Sequence, residues 1–155
     1  MIISKKGNIF DPTADALVNP VNCVGVMGAG LALQFKKRYP VNFEHYKRVC
    51  LHKQLRPGKM LVGRFDDSCV PNGTRLIINF PTKDHFRDNC QISYIKLGLE
   101  NLIYVIKNHQ IKSIAVPPLG CGLGGLNWDD VKPLIETAFA EFDDMTDMIV
   151  EIYEP

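Results

Sequence analysis

The chain has 155 residues, of which 46% are hydrophobic and 23% charged, and its formal net charge is +1. This composition is typical of a globular protein and excludes a disordered chain, a collagen-like repeat and a disulfide scaffold. No apolar run approaches the ~18 residues that cross a membrane, and the first residues lack the pattern of a signal peptide. We therefore expect one cytoplasmic domain without membrane contact.

Apolar runs and turn residues alternate in the first half of the chain. The predicted elements, in chain order, are strands at residues 1–3 and 14–18, helices at residues 31–38 and 41–51, and a loop and strand within residues 55–70. The second strand is expected to end where Pro20 follows Asn19, because proline cannot donate to a strand ladder. Pro40 is expected to end the first helix.

The second half repeats the alternation. Its predicted elements are strands at residues 76–80, 113–116 and 148–153, and helices spanning residues 92–106 and about 128–142. The long helix is predicted because apolar residues recur at three- and four-residue steps from Ile92 to Ile106. Pro81 is expected to end the strand before it. Strands alternating with helices indicate an α/β fold with a mixed or mainly parallel sheet.

The small net charge is an average over two unequal segments. Residues 34–59 contain eight basic side chains and the single acid Glu44, whereas residues 129–155 contain nine acids and the single base Lys132. The basic residues are Lys36, Lys37, Arg38, Lys47, Arg48, Lys53, Arg56 and Lys59. Such a segment is either an ordinary solvated surface or a surface that attracts a polyanion, and charge alone does not separate the two.

Cysteine chemistry is not favoured by the spacing of the five cysteines. The sequence contains no CxxC or CxxH pattern, so we expect neither a zinc site nor a redox motif. Cys23 and Cys121 lie in glycine-rich segments where a nucleophile can sit, but no histidine is an evident partner. Reduced thiols in the cytoplasm are the simpler account.

Two glycine-rich turns, at residues 25–30 and 120–125, hold seven of the twelve glycines. Each follows a strand and precedes a helix, the place where open α/β sheets bind ligands. Glycine lets backbone N–H groups approach a ligand, and a helix N-terminus favours negative charge. The pair therefore predicts a clamp for a diphosphate, the alternative being that the glycines only form tight turns. The sequence has no GxxxxGK[ST] motif, which argues against a P-loop. The second turn does contain GxGxxG, but only one strand follows it, which is too few for a dinucleotide-binding fold that begins there.

The order of these segments resembles a macrodomain, the α/β/α fold that binds ADP-ribose. Residues 7–9, 14–22 and 25–30 resemble its opening strand and first loop, and residues 117–128 resemble its second, diphosphate-binding loop. The resemblance runs through almost the whole chain. It implies a single macrodomain over residues 1–155, with three α/β/α layers and a mixed, mainly parallel central sheet.

The resemblance also implies a set of ligand contacts with no metal and no cofactor. The residues that it assigns to ADP-ribose binding are Asn8, Ile9, Asn19, Val21, Asn22, Gly28, Gly30, Leu31, Ala32, Leu33, Thr82, Pro118, Leu119, Gly120, Cys121, Gly122, Leu123, Gly124 and Tyr153. Asn8 stands where many macrodomains have an aspartate that binds the adenine amino group, a bond that an amide oxygen can also accept. Tyr153 is a candidate for stacking on adenine, or is an ordinary aromatic residue at a strand end.

One branch of the family is more similar than the rest. Residues 22–32, 79–83 and 118–122 resemble the bacterial DNA ADP-ribosyl glycohydrolase antitoxins, which remove ADP-ribose from thymidine bases modified by a partner toxin. They are also similar to the human terminal ADP-ribose protein glycohydrolase, which acts on modified glutamate. In both groups the lysine that matches Lys83 serves catalysis. The human enzyme also uses an aspartate where this chain has Gly124, so the antitoxin branch fits better.

The resemblance thus implies a monomeric glycohydrolase acting on ADP-ribosylated single-stranded DNA, with a DNA ADP-ribosyltransferase toxin as its partner and Lys83 as its catalytic residue. Lys83 either attacks the anomeric carbon of the ribose or stabilises the departing base. Asn22 is expected to fix the distal ribose, and Thr82 to bind the ribose or orient the lysine. Two other functions stay open. They are hydrolysis of ADP-ribosylated glutamate or O-acyl-ADP-ribose, and ADP-ribose binding without catalysis.

The residues after Lys83 are a further candidate for substrate contact. His85, Phe86 and Arg87 combine aromatic and basic side chains and are expected either to meet a base beside the site or to form an exposed loop. A positive track along the basic segment would suit single-stranded DNA.

Overall fold

The structure is a computed structural model that describes residues 1–11, 13–144 and 147–155. Its strands are β1 (Ile2–Lys5), β2 (Ala16–Val21), β3 (Leu61–Asp66), β4 (Thr74–Pro81), β5 (Ser113–Val116) and β6 (Ile149–Tyr153). Its α-helices are α1 (Gly30–Arg38), α2 (Pro40–Leu51), α3 (Ile92–Asn108) and α4 (Trp128–Phe139). Among the described residues, no helix combines the length and the apolar character needed to cross a membrane.

The six strands form one sheet in the order β1-β6-β5-β2-β4-β3. Every neighbouring pair is parallel except β3 and β4, which are antiparallel. β3 and β4 are joined by a short connection that contains Gly73, whereas parallel neighbours need a crossover. The mixed, mainly parallel sheet that the sequence predicts is therefore confirmed.

Helices cover both faces of the sheet. Alternate residues of β2 point to opposite faces: Val18 packs in the same cluster as residues of α3 and α4, whereas Leu17 packs with Phe35 and Tyr39 around α1. Both cores are closed, since Val18, Leu17 and Phe35 are fully buried. This arrangement confirms the three-layer α/β/α fold.

The prediction that Pro20 stops the pairing of β2 is wrong. β2 continues to Val21 and stays in register with β4. The Val21 carbonyl accepts a hydrogen bond from Thr82 on the β4 side, so the preceding residue, Pro20, faces the β5 side. β5 pairs with β2 only at Ala16 and Leu17, and the missing N–H of proline therefore interrupts no ladder bond.

The other element boundaries are close to prediction. β4 ends at Pro81 as expected, although it begins two residues before the predicted start. The last helix ends at Phe139 and is followed by a single 3-10 turn, Ala140–Phe142, instead of continuing as an α-helix.

A buried asparagine network joins α2 to the middle of the sheet. The Asn79 amide nitrogen donates to Asn42 Oδ1 at 2.9 Å and to the Leu61 carbonyl at 3.1 Å. Its Oδ1 accepts from the amides of Asn42 and Asn19, each at 3.1 Å. All three asparagines are fully buried. The network fixes α2 against the ends of β2 and β4, because buried polar groups are stable only when they are paired.

Asn79→Ala should lower the free energy of unfolding by about 2–4 kcal/mol, because it leaves the amide of Asn42 and the Leu61 carbonyl buried without their partner. Urea denaturation followed by circular dichroism measures this change. Asn108→Ala, at the exposed end of α3, is the matched control and should change stability by less than about 0.5 kcal/mol. Equal stability of the two variants would contradict the role of the network.

Candidate functional site

The predicted site residues follow strands that end at one edge of the sheet. β2, β4, β5 and β6 are parallel, so their carboxyl ends lie together. Loop 1, residues 22–29, follows β2 and leads into α1. Loop 2, residues 117–127, follows β5 and leads into α4. Lys83 follows β4, the neighbour of β2 on the side away from β5.

Asn22 holds loop 1 in its conformation. Its amide nitrogen donates to the Val26 carbonyl at 2.7 Å, and its Oδ1 accepts from the Val24 N–H at 3.0 Å. The buried Tyr46 hydroxyl of α2 donates to the same Oδ1 at 2.7 Å. These bonds engage the Asn22 side chain within the protein, and its contact with the distal ribose stays a prediction.

The first turn of α1 presents unpaired backbone donors at the end of loop 1. Gly30 adopts a φ of +58°, a left-handed value that favours glycine. The helix has no side-chain cap and no acidic residue in its first turn. The first hydrogen bond of the helix runs from the Leu33 N–H to the Ala29 carbonyl. The N–H groups of Gly30, Leu31 and Ala32 therefore have no intrahelical partner. Such a terminus favours an anion.

Loop 2 folds tightly on itself and on the connection between β4 and α3. The Gly124 carbonyl accepts from the Cys90 N–H at 2.9 Å, and the Gly120 carbonyl accepts from the Leu126 N–H at 2.9 Å. A Cβ on Gly124 would lie 2.6 Å from the Gly120 carbonyl oxygen, and a Cβ on Gly120 would lie 2.9 Å from Cys90 Sγ. A side chain at either position would force the loop to move. Among the described residues, the N–H group of Gly122 bonds to no protein acceptor.

The two loops meet at Leu123 and Gly30. A Cβ on Gly30 would lie 3.6 Å from Leu123 Cδ1, and the Leu123 side chain is 69% exposed. An exposed leucine therefore lies across the start of α1. A Cβ on Gly28 would lie 3.4 Å from the Val26 side chain within loop 1. The predicted pair of glycine-rich loops is thus brought together as the sequence suggested.

An open cleft of about 310 Å³ lies beside the start of α1. Its lining includes five predicted residues, namely Asn8, Ile9, Leu31, Pro118 and Tyr153. Asn8 Oδ1 accepts from the Phe10 N–H at 2.9 Å, which leaves a second lone pair for a ligand donor. Tyr153 lines the same cleft, and burial together with the nearby Glu151 carboxylate raises the pKa of its hydroxyl to about 12.

Gln34 is a cleft residue that sequence reasoning missed. Its exposed carboxamide lines the cleft with Gly7 and Glu154. The available signal was its helical spacing, since Gln34 lies three and four residues after Leu31 and Gly30 and so shares their face of α1. A second cleft, of about 340 Å³, lies at the opposite edge of the sheet, and its described lining includes none of the predicted site residues.

The backbone on both sides of Lys83 is tied to the end of β2. The Thr82 N–H donates to the Val21 carbonyl at 2.9 Å, and the Cys23 N–H donates to the Asp84 carbonyl at 2.8 Å. Thr82 is buried. Lys83 therefore stands between two cross-strand bonds, and its position relative to loop 1 is fixed.

The Lys83 side chain is half-buried and lies close to loop 2. Its Nζ donates to the Phe86 carbonyl at 3.1 Å. Its positive charge also acts on the thiol of Cys90, the residue against which Gly120 packs. The Lys83 amine thus lies close to the start of loop 1 and to Cys90, which bonds to loop 2.

The cysteines near the site are protonated structural residues. Burial raises the pKa of Cys23 to about 12 and the pKa values of Cys90 and Cys121 to about 11, although the Lys83 charge partly lowers that of Cys90. A thiol in this state is a poor nucleophile at neutral pH. In the part of the chain that the structure describes, no three His, Cys, Asp or Glu side chains gather into a metal site.

Three of the predicted binding residues have side chains that are buried beneath the site. Asn19 and Leu119 are fully buried and Val21 is 3% exposed. Asn19 belongs to the asparagine network, Val21 packs with Met27 under loop 1, and Leu119 packs in the core beneath loop 2. Their side chains do not line the cleft. Ala32 and Leu33 are half-buried in the first turn of α1.

Comparisons with known proteins agree with this geometry. The family model described as Macro domain matches residues 18–135. A DNA ADP-ribosyl glycohydrolase of Mycobacterium tuberculosis is 46% identical over 149 residues, which cover 96% of this chain and 42% of that protein. The chain thus spans about two fifths of the length of this and the other DNA ADP-ribosyl glycohydrolase relatives that it matches.

Solved structures show the same fold. The macrodomain of Mycobacterium tuberculosis DarG has a TM-score of 0.90 and 46% identity, covering 100% of this chain and 98% of that chain. Thermosipho africanus DarTG in complex with ADP-ribose has a TM-score of 0.87 and 33% identity, covering 99% of this chain and 42% of that chain. With the family match over most of its length, the two loops and the α/β/α layers, this chain belongs to the macrodomain family.

Proposed function

We propose that this chain is an ADP-ribosyl glycohydrolase that binds ADP-ribose and removes it from the thymidine base of ADP-ribosylated DNA. The observation that carries the proposal is the position of Lys83, which two cross-strand bonds hold beside the start of loop 1 and whose charge acts on Cys90 next to loop 2. The similarity to a DNA ADP-ribosyl glycohydrolase and to a structure that contains ADP-ribose supports it.

The ligand can be assigned to the site from one end to the other. Adenine would occupy the cleft between Asn8 and Tyr153, where an amide oxygen and an aromatic ring are available. The diphosphate would lie between the first turn of α1 and loop 2, whose backbone N–H groups suit an anion. The distal ribose would then lie beside Asn22 and Lys83, and the modified base would project past the loops.

Lys83 would act at the anomeric carbon, which gains positive charge as its bond to thymine breaks. As a nucleophile its neutral amine would attack the anomeric carbon and displace thymine, which leaves with the bonding electron pair and takes up a proton. Ring opening of the resulting glycosylamine gives a Schiff base, which water then hydrolyses to free ADP-ribose and the lysine amine. As a cation it would stabilise the negative charge on the departing base. Sodium borohydride added during turnover separates these roles, because only a Schiff base is reduced to a stable adduct on Lys83.

Loop 2 favours modified DNA over modified glutamate as the substrate. The glutamate-specific relative in the family uses an aspartate at the position of Gly124. Here a Cβ at that position would lie 2.6 Å from the Gly120 carbonyl oxygen and 3.0 Å from Cys90 Cβ, so the loop is built for glycine. This chain therefore lacks the aspartate of the glutamate-specific relative, and loop 2 has no room for a side chain at position 124.

The substrate also implies a second enzyme. ADP-ribosylated thymidine is produced only by a transferase that moves ADP-ribose onto DNA, so we infer a DNA ADP-ribosyltransferase toxin as the partner whose product this chain removes. All five cysteines are free thiols, which suits a cytoplasmic setting. Since one chain supplies both loops and Lys83, we expect it to act as a monomer.

Lys83→Ala should reduce the release of ADP-ribose from a modified thymidine oligonucleotide by at least ~100-fold, the usual effect of losing a group that acts on the reacting atoms. Calorimetry should show that the variant still binds free ADP-ribose, because adenine and diphosphate contacts remain. Chromatography of the released ADP-ribose measures the rate.

Lys96→Ala, an exposed lysine of α3, is the control for that experiment and should release ADP-ribose at the wild-type rate. Wild-type turnover by Lys83→Ala would contradict the assignment of Lys83. If the wild-type protein binds ADP-ribose but cleaves neither modified DNA nor modified peptide, its function is ADP-ribose binding without catalysis. Faster cleavage of an ADP-ribosylated glutamate peptide than of the oligonucleotide would favour the protein substrate.

Gly124→Ala should weaken ADP-ribose binding about tenfold, or about 1.4 kcal/mol, because the new methyl group displaces the Gly120 carbonyl and opens loop 2. The control is Lys96→Ala, on the exposed surface of α3, which should bind ADP-ribose as tightly as the wild-type protein. Titration calorimetry with ADP-ribose compares the two variants. The tight-loop account fails if both bind equally.

A further inference from the structure

A short turn after Lys83 exposes an aromatic ring beside the site. Phe86 is 42% exposed, although burial of a phenylalanine is ordinarily favourable. Its ring centroid lies 4.2 Å from that of His85, and the Arg87 guanidinium lies 5.6 Å from it. The ADP-ribose contacts described above use none of these three side chains.

The turn is ordered by its own hydrogen bonds. The Asp88 N–H donates to the His85 carbonyl at 3.0 Å, and the His85 N–H donates to Asp88 Oδ2 at 3.2 Å. The Arg87 N–H donates to His85 Nδ1 at 3.1 Å. Because Lys83 Nζ donates to the Phe86 carbonyl, the turn is attached directly to the candidate catalytic residue. The exposed ring is therefore preorganised next to the point of cleavage.

A basic surface lies across loop 1 from this turn. Cys23 bonds to Asp84 at one end of loop 1, and the Lys47 backbone of α2 would lie 3.7 Å from a Cβ on Gly25 farther along it. All eight basic residues of the segment 34–59 are exposed, and in the described part of the chain none forms an ion pair with a carboxylate. By contrast, Lys5, Lys107 and Lys132 on other elements are paired with acids.

We propose that the Phe86 turn and the neighbouring end of α2 bind the DNA strand that flanks the modified thymidine. Phe86 stacks on an adjacent base, and Arg87 and Lys47 contact phosphates. This inference rests on the proposed function. It assigns a second contact that is separate from ADP-ribose binding. Stacking on an aromatic ring is tolerant of sequence, and phosphate contacts by cations add affinity that falls with salt.

Two modified substrates test the proposal, the ADP-ribosylated thymidine nucleoside and a single-stranded tetranucleotide that contains the same modified thymidine. For the wild-type protein, kcat/KM should be higher on the tetranucleotide, because the nucleoside lacks flanking bases and phosphates. Phe86→Ala should lower the ratio of the two kcat/KM values roughly tenfold, mainly through the KM of the tetranucleotide. Phe86→Tyr should restore the ratio, because it keeps the aromatic face.

Tyr104→Ala is the matched control, since Tyr104 is an exposed aromatic residue of α3. It should keep the wild-type ratio. Lys47→Ala provides an independent measurement: the slope of log KM against log salt for the tetranucleotide should fall by roughly 0.7, the value for one lost phosphate contact on a single strand.

An unchanged ratio in Phe86→Ala together with an unchanged salt slope in Lys47→Ala would overturn the inference and leave the proposed function intact. If the wild-type protein cleaves neither substrate, the proposed function itself fails. A wild-type protein that cleaves the nucleoside and the tetranucleotide equally well would also overturn the inference, because no flanking contact would then contribute.

Discussion

The site depends on two backbone hydrogen bonds that join the end of β4 to the end of β2. Thr82 donates to Val21, and Cys23 donates to Asp84, so that Lys83 is fixed from both sides. Backbone bonds of this kind do not require a particular side chain at the position between them. They place a long, flexible amine beside loop 1 with its backbone fixed, and holding a catalytic group in position lowers the entropic cost of a reaction.

Close approach between backbones shapes the rest of the site. In loop 2, a side chain added at Gly124 or Gly120 would collide with neighbouring atoms of the protein. In loop 1, the Asn22 side chain bonds to the backbone of Val24 and Val26 and so fixes the loop conformation. Charge is also divided between regions. The described basic residues of α1, α2 and the segment that follows them form no ion pair with a carboxylate, whereas Glu151 of β6 and the adjacent Glu154 are paired with lysines.

Much of the fold was predictable because periodicity and turn residues are local signals. The alternation of strands and helices and the positions of both glycine-rich loops followed from the sequence, whereas the catalytic role of Lys83 comes from the family resemblance and stays a prediction. The continuation of β2 through Pro20 did not, because it depends on how far a neighbouring strand extends. Likewise Asn19 and Val21 lie in a binding segment yet face the core, and Gln34 reaches the cleft only through the packing of α1. Such outcomes depend on tertiary contacts between distant segments.

The central claim is that Lys83 stands at the bond between ADP-ribose and the modified base. The most direct test is a crystal structure of the Lys83→Ala variant bound to an ADP-ribosylated thymidine dinucleotide. The account predicts adenine between Asn8 and Tyr153, the diphosphate between the two loops, and the anomeric carbon within reach of a lysine side chain built at position 83. An anomeric carbon on the far side of loop 2, beyond that reach, would contradict it.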